Sequence, residues 1–260
     1  MGSNIKFKAA CTKEVGRSHI STNTPCQDHV SVKRNAKKGL ISISLSDGAG
    51  SCSLSHIGSR IIVKTANSFL IEHFEKLITN PTNVDIAKNN LICEINDKFI
   101  KRIPKDNAQS KKEYSGTLLS ITTDGKNYVL THLGDGVIGC VSNGKLSVLS
   151  APSNGEFSNT TYFVTDSDAP TKINIVTGPL NGISSFILMS DGTQDSLYSK
   201  KENSLAPACL KLAEWLSINT EKKTSNILSQ NAKQVFTQKS TDDCSIGILN
   251  IILKDKASYA

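Results

Sequence analysis

Apolar residues along this chain follow two periods in turn. Ile41, Ile43 and Leu45 alternate with Ser42 and Ser44, the two-residue period of a strand with one buried face. That strand runs into Ser46-Asp47-Gly48-Ala49-Gly50-Ser51. The spacing then lengthens. Ile57, Ile61, Thr65 and Phe69, joined by Ile62, Ala66, Leu70 and Phe74, share one face of a helix over residues 54–77. After Pro81 and Asn83, a second stripe of Ile86, Leu91, Ile92, Ile95, Phe99 and Ile103 predicts another helix, stopped by Pro104 and packed beside the first. Both stripes are core and need no cofactor.

The period of two returns over residues 117–123, 128–133, 137–142 and 145–149. Asp124-Gly125, Gly134-Asp135-Gly136 and Asn143-Gly144 separate these strands, which predicts an antiparallel meander. Strands are also expected over residues 1–11, at 25–32, at 186–189 and over 245–253, with a polar loop at 15–19. Residues 150–182 read as a Ser, Asn, Thr, Pro and Asp-rich loop holding one short strand, 159–165. That loop either edges a substrate groove or is an inert excursion. Leu205, Cys209, Leu212 and Leu216 mark a helix over 205–218, and another follows over 225–236. Strands, two helices, strands, two helices and a strand argue for a layered α+β fold without internal repeats.

Five of the predicted strand ends present a carboxylate: Asp28 after Gln27, Asp47, Asp135 in Leu133-Gly134-Asp135-Gly136, Asp191 in Ser190-Asp191-Gly192, and the pair Asp242-Asp243. One Asp-Gly turn is ordinary punctuation. Five at strand ends suit a carboxylate-lined site for hard divalent cations at one edge of a β core. These residues span positions 28 to 243 and must converge, so the 260 residues are expected to form a single domain, 1–260.

Composition narrows the function. The formal net charge is +7, yet the densest basic run, Lys98 to Lys112, is interleaved with Asp97 and Asp106, and aromatic residues make up only 5%. A solvated loop fits that run better than a base-stacking surface, which argues against nucleic acid and leaves attraction of acidic, phosphorylated substrates as the second use of the charge. No apolar run reaches the roughly 20 residues that span a bilayer. Lys6 and Lys8 interrupt the start of the chain, and Lys6 stands where a myristoylation pattern needs Ser or Thr. The expectation is therefore a cytoplasmic protein without a membrane partner. Seven cysteines, none closer than 15 residues to the next, form neither a zinc pattern nor a disulfide framework. They read as reduced thiols, with Cys26, Cys52 and Cys244 near enough to the carboxylates to make the site oxidation-sensitive.

Other motifs fail on a single residue. Gly139 to Lys145 has the glycine and lysine spacing of a phosphate-binding loop, but Leu146 replaces the Ser or Thr and Asn143-Gly144 is a hairpin turn. Asp191-Gly192-Thr193 resembles the end of a haloacid-dehalogenase signature, with Met189 where the nucleophilic Asp is needed. No Gly-x-Ser-x-Gly elbow exists.

Taken in order, Gln27-Asp28, Ser46-Asp47-Gly48-Ala49-Gly50, Ser115-Gly116-Thr117, Leu133-Gly134-Asp135, Ser190-Asp191-Gly192 and Asp242-Asp243-Cys244 resemble the motif series of the metal-dependent PP2C-type protein phosphatases. The likeness spans about residues 10 to 252. The Gly155 to Phe163 loop and the Ser18-His19…Pro25-Cys26-Gln27-Asp28 entry look most like a divergent bacterial branch of that family. The resemblance implies a four-layer sandwich, two antiparallel sheets face to face with a helix pair outside each. It also implies two Mn²⁺ or Mg²⁺ ions. Asp47 would bridge both; Asp191 and Asp243 would hold the first; Asp28 and the Gly48 carbonyl would hold the second; Asp135, with Asp191, would match a third, weaker position.

Such cations, roughly 3.5–4 Å apart, let a bridging hydroxide attack phosphorus in line, so Asp47, Asp191 and Asp243 would be catalytic through that hydroxide. Implied substrates are phosphoserine and phosphothreonine proteins, with a cognate kinase as partner. Two positions depart from the family pattern. Asn23 stands where many members grip phosphate with Arg, leaving Arg17 and His19 as the nearby candidates, and Ala49 stands where some members carry a His. The competing reading is a pseudophosphatase that keeps the fold and binds phosphorylated partners.

Overall fold

The computed structural model describes residues 5–80, 82–153 and 161–253. In chain order its elements are β1 (Ile5–Glu14), α1 (Arg17–Thr22), β2 (His29–Asn35), β3 (Leu40–Ser46), α2 (Ser55–Thr79) and α3 (Asn83–Asp106). There follow β4 (Leu118–Thr123), β5 (Asn127–Leu133), β6 (Val137–Ser142), β7 (Lys145–Ser150), α4 (Ala169–Lys172), β8 (Asn174–Pro179) and β9 (Ile183–Met189). The last part holds α5 (Asp191–Leu197), the short β10 (Tyr198–Ser199) and β11 (Ser204–Leu205), α6 (Ala208–Ile218), α7 (Glu221–Asn231) and β12 (Cys244–Leu253).

The strands form two five-stranded antiparallel sheets, β1-β12-β9-β6-β7 and β2-β3-β4-β5-β8. Three apolar layers join four structural layers, as the family resemblance implies. Ile41, Ile43, Leu45 and Leu119 from one sheet meet Phe186, Leu188 and Leu249 from the other. Outside the β3 sheet, Ile62, Leu70, Leu91 and Phe99 of α2 and α3 cover Leu118, Val129 and Leu133. Outside the β12 sheet, Cys209, Leu212, Leu216 and Leu228 of α6 and α7 cover Ile187, Met189, Ile246 and Ile248.

β3 is not half-buried: Ser42, Ser44 and Ser46 are as inaccessible as the apolar residues between them. Ile41, Ile43 and Leu45 face the opposite sheet, and the serines lie under α2. Asn67 of α2 accepts from Ser42 Oγ (2.7 Å) and Ser44 Oγ (2.8 Å), while its Nδ2 donates to the Ser31 carbonyl (3.1 Å). Ser44 and Ser120 hydroxyls meet at 2.7 Å, and Thr122 donates to Ser42 at 2.8 Å. Small hydroxyls let the helix approach the sheet, and the network satisfies those of Ser42 and Ser44, while the buried Ser46 Oγ has no partner. The second sheet repeats the device: Asn250 of β12 accepts from Ser185 Oγ (2.7 Å) and donates to the Ala213 carbonyl of α6 (2.8 Å).

The predicted meander is broken. β4 pairs with β5 and β6 with β7, but β5 and β6 belong to different sheets. Gly134, at φ +114°, lets the chain leave one sheet for the other, and a Cβ there would stand 2.5 Å from Thr117 Cγ2. The loop expected over 150–182 contains β8, an edge strand on β5 with Val176 exposed, too weakly patterned to see. Residues 154–160, the first two positions of the expected 159–165 strand and most of the Gly155 to Phe163 loop, lie outside the described residues. Thr161 to Thr165 add no strand, although the Val164 N–H bonds the Gly116 carbonyl at 3.0 Å. α1 replaces the loop expected at 15–19; with no buried residue it has no apolar stripe.

α3 runs two residues past Pro104 and ends in a left-handed cap at Asn107, φ 53°. Its last turn is held by the two bonds of Arg102 to Asp106, 2.8 and 2.7 Å, and by Tyr114 Oη donating to Asp106 at 2.9 Å. α7 begins earlier than expected, at the Thr220 cap, and passes into a π turn over Ala232–Phe236.

Asn67→Ala would leave two buried serine hydroxyls without their acceptor, and thermal unfolding is expected to show a loss of about 2–3 kcal/mol; a loss under about 0.5 kcal/mol would contradict the network's role. His132, 2% exposed, contacts Ser150 Oγ at 2.6 Å and the Gly134 carbonyl at 3.0 Å, and burial lowers its pKa to about 4. The unfolded chain binds the proton first, so stability falls as pH drops from about 6.5 towards 4, by up to roughly 3 kcal/mol. His132→Gln should flatten that slope in Tm measurements across the window; an unchanged slope would refute the assignment.

Candidate metal centre

Asp47 follows directly on β3. Its turn is held against the segment before β4: the Asp47 N–H bonds Thr117 Oγ1 (3.0 Å), the Thr117 N–H bonds the Asp47 carbonyl (2.8 Å), Gly48 bridges Gly116, and the Ala49 N–H bonds the Ser115 carbonyl (3.0 Å). Asp191 opens α5 at the end of β9. Its Oδ1 accepts the Gly192 N–H at 2.5 Å, and Gly192 is needed because a Cβ would meet the Asp243 carbonyl at 2.2 Å. Asp135 lies on the crossing between sheets, where Thr161 Oγ1 donates to its Oδ2. Asp28, just before β2, is fully buried.

The sandwich brings these carboxylates to one end. Asp47 feels Asp28, Asp191 and Asp135, and Asp191 feels Asp135 and Asp242. Neither Asp28 oxygen has a hydrogen-bond partner. Burial foremost, with the charges of Asp243 and Asp191, pushes the Asp28 pKa up to about 7, although nearby Ser245 and Ser190 hydroxyls soften the effect. Burial also pushes Asp191 up to about 6 and Asp47 well above the carboxylate range, and Asp47 and Asp191 are close enough to share a proton. Among the described residues no three His, Cys, Asp or Glu side chains already stand in an arrangement ready to hold a metal ion. Even so, hard oxygen donors, inaccessible and unpartnered at Asp28, fit divalent cations of the Mg²⁺ or Mn²⁺ type.

The Asp242-Asp243 pair divides its work. Asp243, 2% exposed, accepts the Gly16 N–H on Oδ1 (2.7 Å) and the Gln27 N–H on Oδ2 (2.5 Å), and His19 Nδ1 stands 2.9 Å from Oδ1. It thereby fastens the segment between β1 and β2 to the start of β12. Asp242 is exposed and its Oδ1 accepts the neighbouring Asp243 N–H at 2.8 Å. The doubled Asp is visible in the sequence, but which member accepts backbone N–H groups from the segment between β1 and β2 depends on a loop over 200 residues away.

The two phosphate-gripping candidates separate. His19 is drawn to the carboxylates, while exposed Arg17 donates from Nη2 to the Gln238 carbonyl at 3.3 Å. Asn23 caps α1 at φ 55°, and Ala49 is packed at 6% exposure. Burial and neighbouring carboxylates raise the thiol pKa of Cys26, and that of Cys244 to about 12. Neither thiol is activated as a thiolate, against the expected oxidation sensitivity at these two positions. Burial, followed by the charges of Lys13, Arg60 and Lys64, lowers His29 to about 4.

Sequence and fold both match known proteins along the chain. A family model described as protein phosphatase 2C covers residues 15–231. The chain belongs to the protein phosphatase 2C family. Serine/threonine-protein phosphatase 3 of Escherichia coli K12 is 27% identical over 208 residues, covering 77% of this chain and 79% of that protein. A bacterial serine phosphatase crystal structure superimposes with a TM-score of 0.65 at 18% identity, over 97% of this chain and all of the other. The catalytic domain of the serine/threonine phosphatase PstP, solved in complex with two manganese ions, gives a TM-score of 0.62 at 11% identity, over 95% and 99% of the two chains. Among the described residues no helix is long and apolar enough to cross a membrane.

If Asp243 is the fastener, Asp243→Asn should cost about 1–3 kcal/mol and speed proteolysis of residues 15–28, whereas exposed Asp242→Asn should stay within about 0.5 kcal/mol of the parent. Equal melting curves for the two variants would overturn this division.

Proposed function

We propose that this phosphatase 2C family chain is an active, divalent-metal-dependent hydrolase of phosphoserine and phosphothreonine on proteins, working as one domain in the cytoplasm. The observation that carries the reading is the convergence of half-buried Asp47 and Asp191, from separate strand ends, on fully buried Asp28, both of whose oxygens lack partners. Such a grouping costs stability in a bare protein, and a site whose ligands are like charges held from water is where function is expected.

Asp47, which feels the charges of both Asp28 and Asp191, would be the carboxylate shared between two cations. The Gly48 carbonyl and Asp28 would hold one cation, Asp191 with the Asp242-Asp243 pair the other, and Asp135 with Asp191 a third. Within the pair we assign ligation to Asp242, because both oxygens of Asp243 already accept backbone N–H groups. When bound, a pair of divalent cations offsets the carboxylates' charge, acidifies water and neutralises a phosphoryl group. The manganese-bound relative and the phosphatase named in Escherichia coli support this assignment.

His19, held beside Asp243, is the side chain best placed to meet a phosphate oxygen from the protein side, while Ala49 offers no proton to a leaving group. A cognate kinase supplying the phosphorylated protein completes the proposed setting.

Hydrolysis of p-nitrophenyl phosphate and a phosphothreonine peptide should require Mn²⁺ or Mg²⁺, stop with EDTA, and fall on the order of 100-fold or more in Asp47→Asn at unchanged fold. A folded protein inactive with every metal would sink the proposal and make the chain a pseudophosphatase.

A further inference from the structure

Across the backbone of the Pro25 to His29 segment from the carboxylates lies a cavity of about 480 Å³, lined by Lys13, Cys26, His29, His56, Arg60 and Lys64 among others. Its size lies in the range of ligand sites. His56, Arg60 and Lys64 recur every four residues, so α2 presents them as one stripe. Lys13 enters from the end of β1 and His29 from the first position of β2. Successive residues of extended chain face opposite ways, so Asp28 turns to the carboxylates and His29 to this cavity. Lys13 ties the two together, its Nζ donating to the Asp28 carbonyl at 2.6 Å.

The charge here is one-sided. No acidic residue lines the cavity, and among the described residues Lys13, Arg60 and Lys64 form no ion pair with a carboxylate, unlike Arg34, Lys88, Lys98, Arg102 and Lys233. The Nδ1 of His56 is buried with no hydrogen-bond partner. Three cations and two imidazoles around a concave space make a receptor for an anion. A net charge of +7 spread evenly would not produce this; here cations without a carboxylate partner gather in a cavity whose Lys13 bonds the Asp28 backbone and whose His29 follows Asp28 in the chain.

We propose that this cavity is an anion subsite for the substrate protein, receiving a carboxylate or second phosphoryl group that flanks the residue being dephosphorylated. The inference rests on the reading of the chain as a phosphatase. Extended peptide advances about 3.3–3.6 Å per residue, so a side chain two to four positions from the phosphorylated residue spans the intervening strand. The preferred substrates are then phosphoproteins with acidic or multiply phosphorylated sequence around the target.

The test uses the whole chain, wild type and an Arg60→Gln/Lys64→Gln double variant. Both residues are exposed, so the variant should keep its melting temperature. Three labelled phosphothreonine peptides, flanked at two to four residues by alanine, glutamate or phosphoserine, are bound in EDTA by fluorescence anisotropy and then turned over in Mn²⁺. Wild type should bind the acidic peptides about 10-fold tighter than the alanine peptide, with KM following and kcat unchanged. The double variant should lose that preference while its affinity for the alanine peptide and its turnover of p-nitrophenyl phosphate stay the same.

A gain with phosphoserine alone identifies a phosphoryl subsite, and equal gains identify a general anion subsite. A preference that survives in the double variant, or none in wild type, overturns the subsite even if turnover is normal. Absent turnover with an intact Arg60- and Lys64-dependent preference overturns the phosphatase reading and leaves the subsite standing.

Discussion

Face-to-face contact between the two sheets is what the rest of this molecule depends on. Ile43 and Leu45 on one side and Phe186, Leu188 and Leu249 on the other are fully buried, each worth about 1.5–3 kcal/mol of transfer free energy. Because the strands are antiparallel and the two sheets pack over the same region, the ends of β3 and β9 and the residues flanking β2 and β12 come to one edge. The carboxylates do not attract one another. Their assembly is a by-product of apolar packing strong enough to override repulsion.

That override shows in the chemistry. Asp28, Asp47 and Asp191 all hold protons more tightly than free carboxylates, chiefly through burial. Both oxygens of Asp28 lack hydrogen-bond partners, whereas Ser42, Ser44 and Asn67 are engaged with one another under α2. Buried hydroxyls of Ser46, Thr131 and Ser245 also lack partners, so Asp28 is distinguished by being a buried carboxylate rather than by being unsatisfied. Opposite signs adjoin across the Pro25 to His29 segment: carboxylates inward, Lys13, Arg60 and Lys64 outward. Such adjacency places fields of opposite sign on the two faces of one short segment.

Much of this was legible from residue order, because hydrophobic period is a local property. The helices over α2 and α3, the strands β3 to β7, β9 and β12, and the recurrence of Asp at strand ends all follow from neighbours within a few positions. What local pattern misread has a common cause. Serines alternating with isoleucines in β3 look like a solvent face, but α2, more than ten residues later, covers them. β5 and β6 look like one hairpin, but Gly134 sends them to different sheets. β8 and α1 carry almost no buried surface and so no period.

The candidate site divides the same way. Sequence alone determined that Asp28, Asp47, Asp135, Asp191 and the Asp242-Asp243 pair sit at strand ends, and that Arg17 and His19 precede the first of them. Only the tertiary structure decided that Asp243 is spent on the Gly16 and Gln27 N–H groups while Asp242 is exposed and accepts its neighbour's N–H, and that His19 approaches Asp243 while Arg17 turns to Gln238. It also decided that residues 13, 29, 56, 60 and 64 share a cavity. The reason is physical: period and turn chemistry are set by a residue's neighbours in the chain, but hydrogen-bond partners and charge neighbours are set by which layers the apolar core presses together.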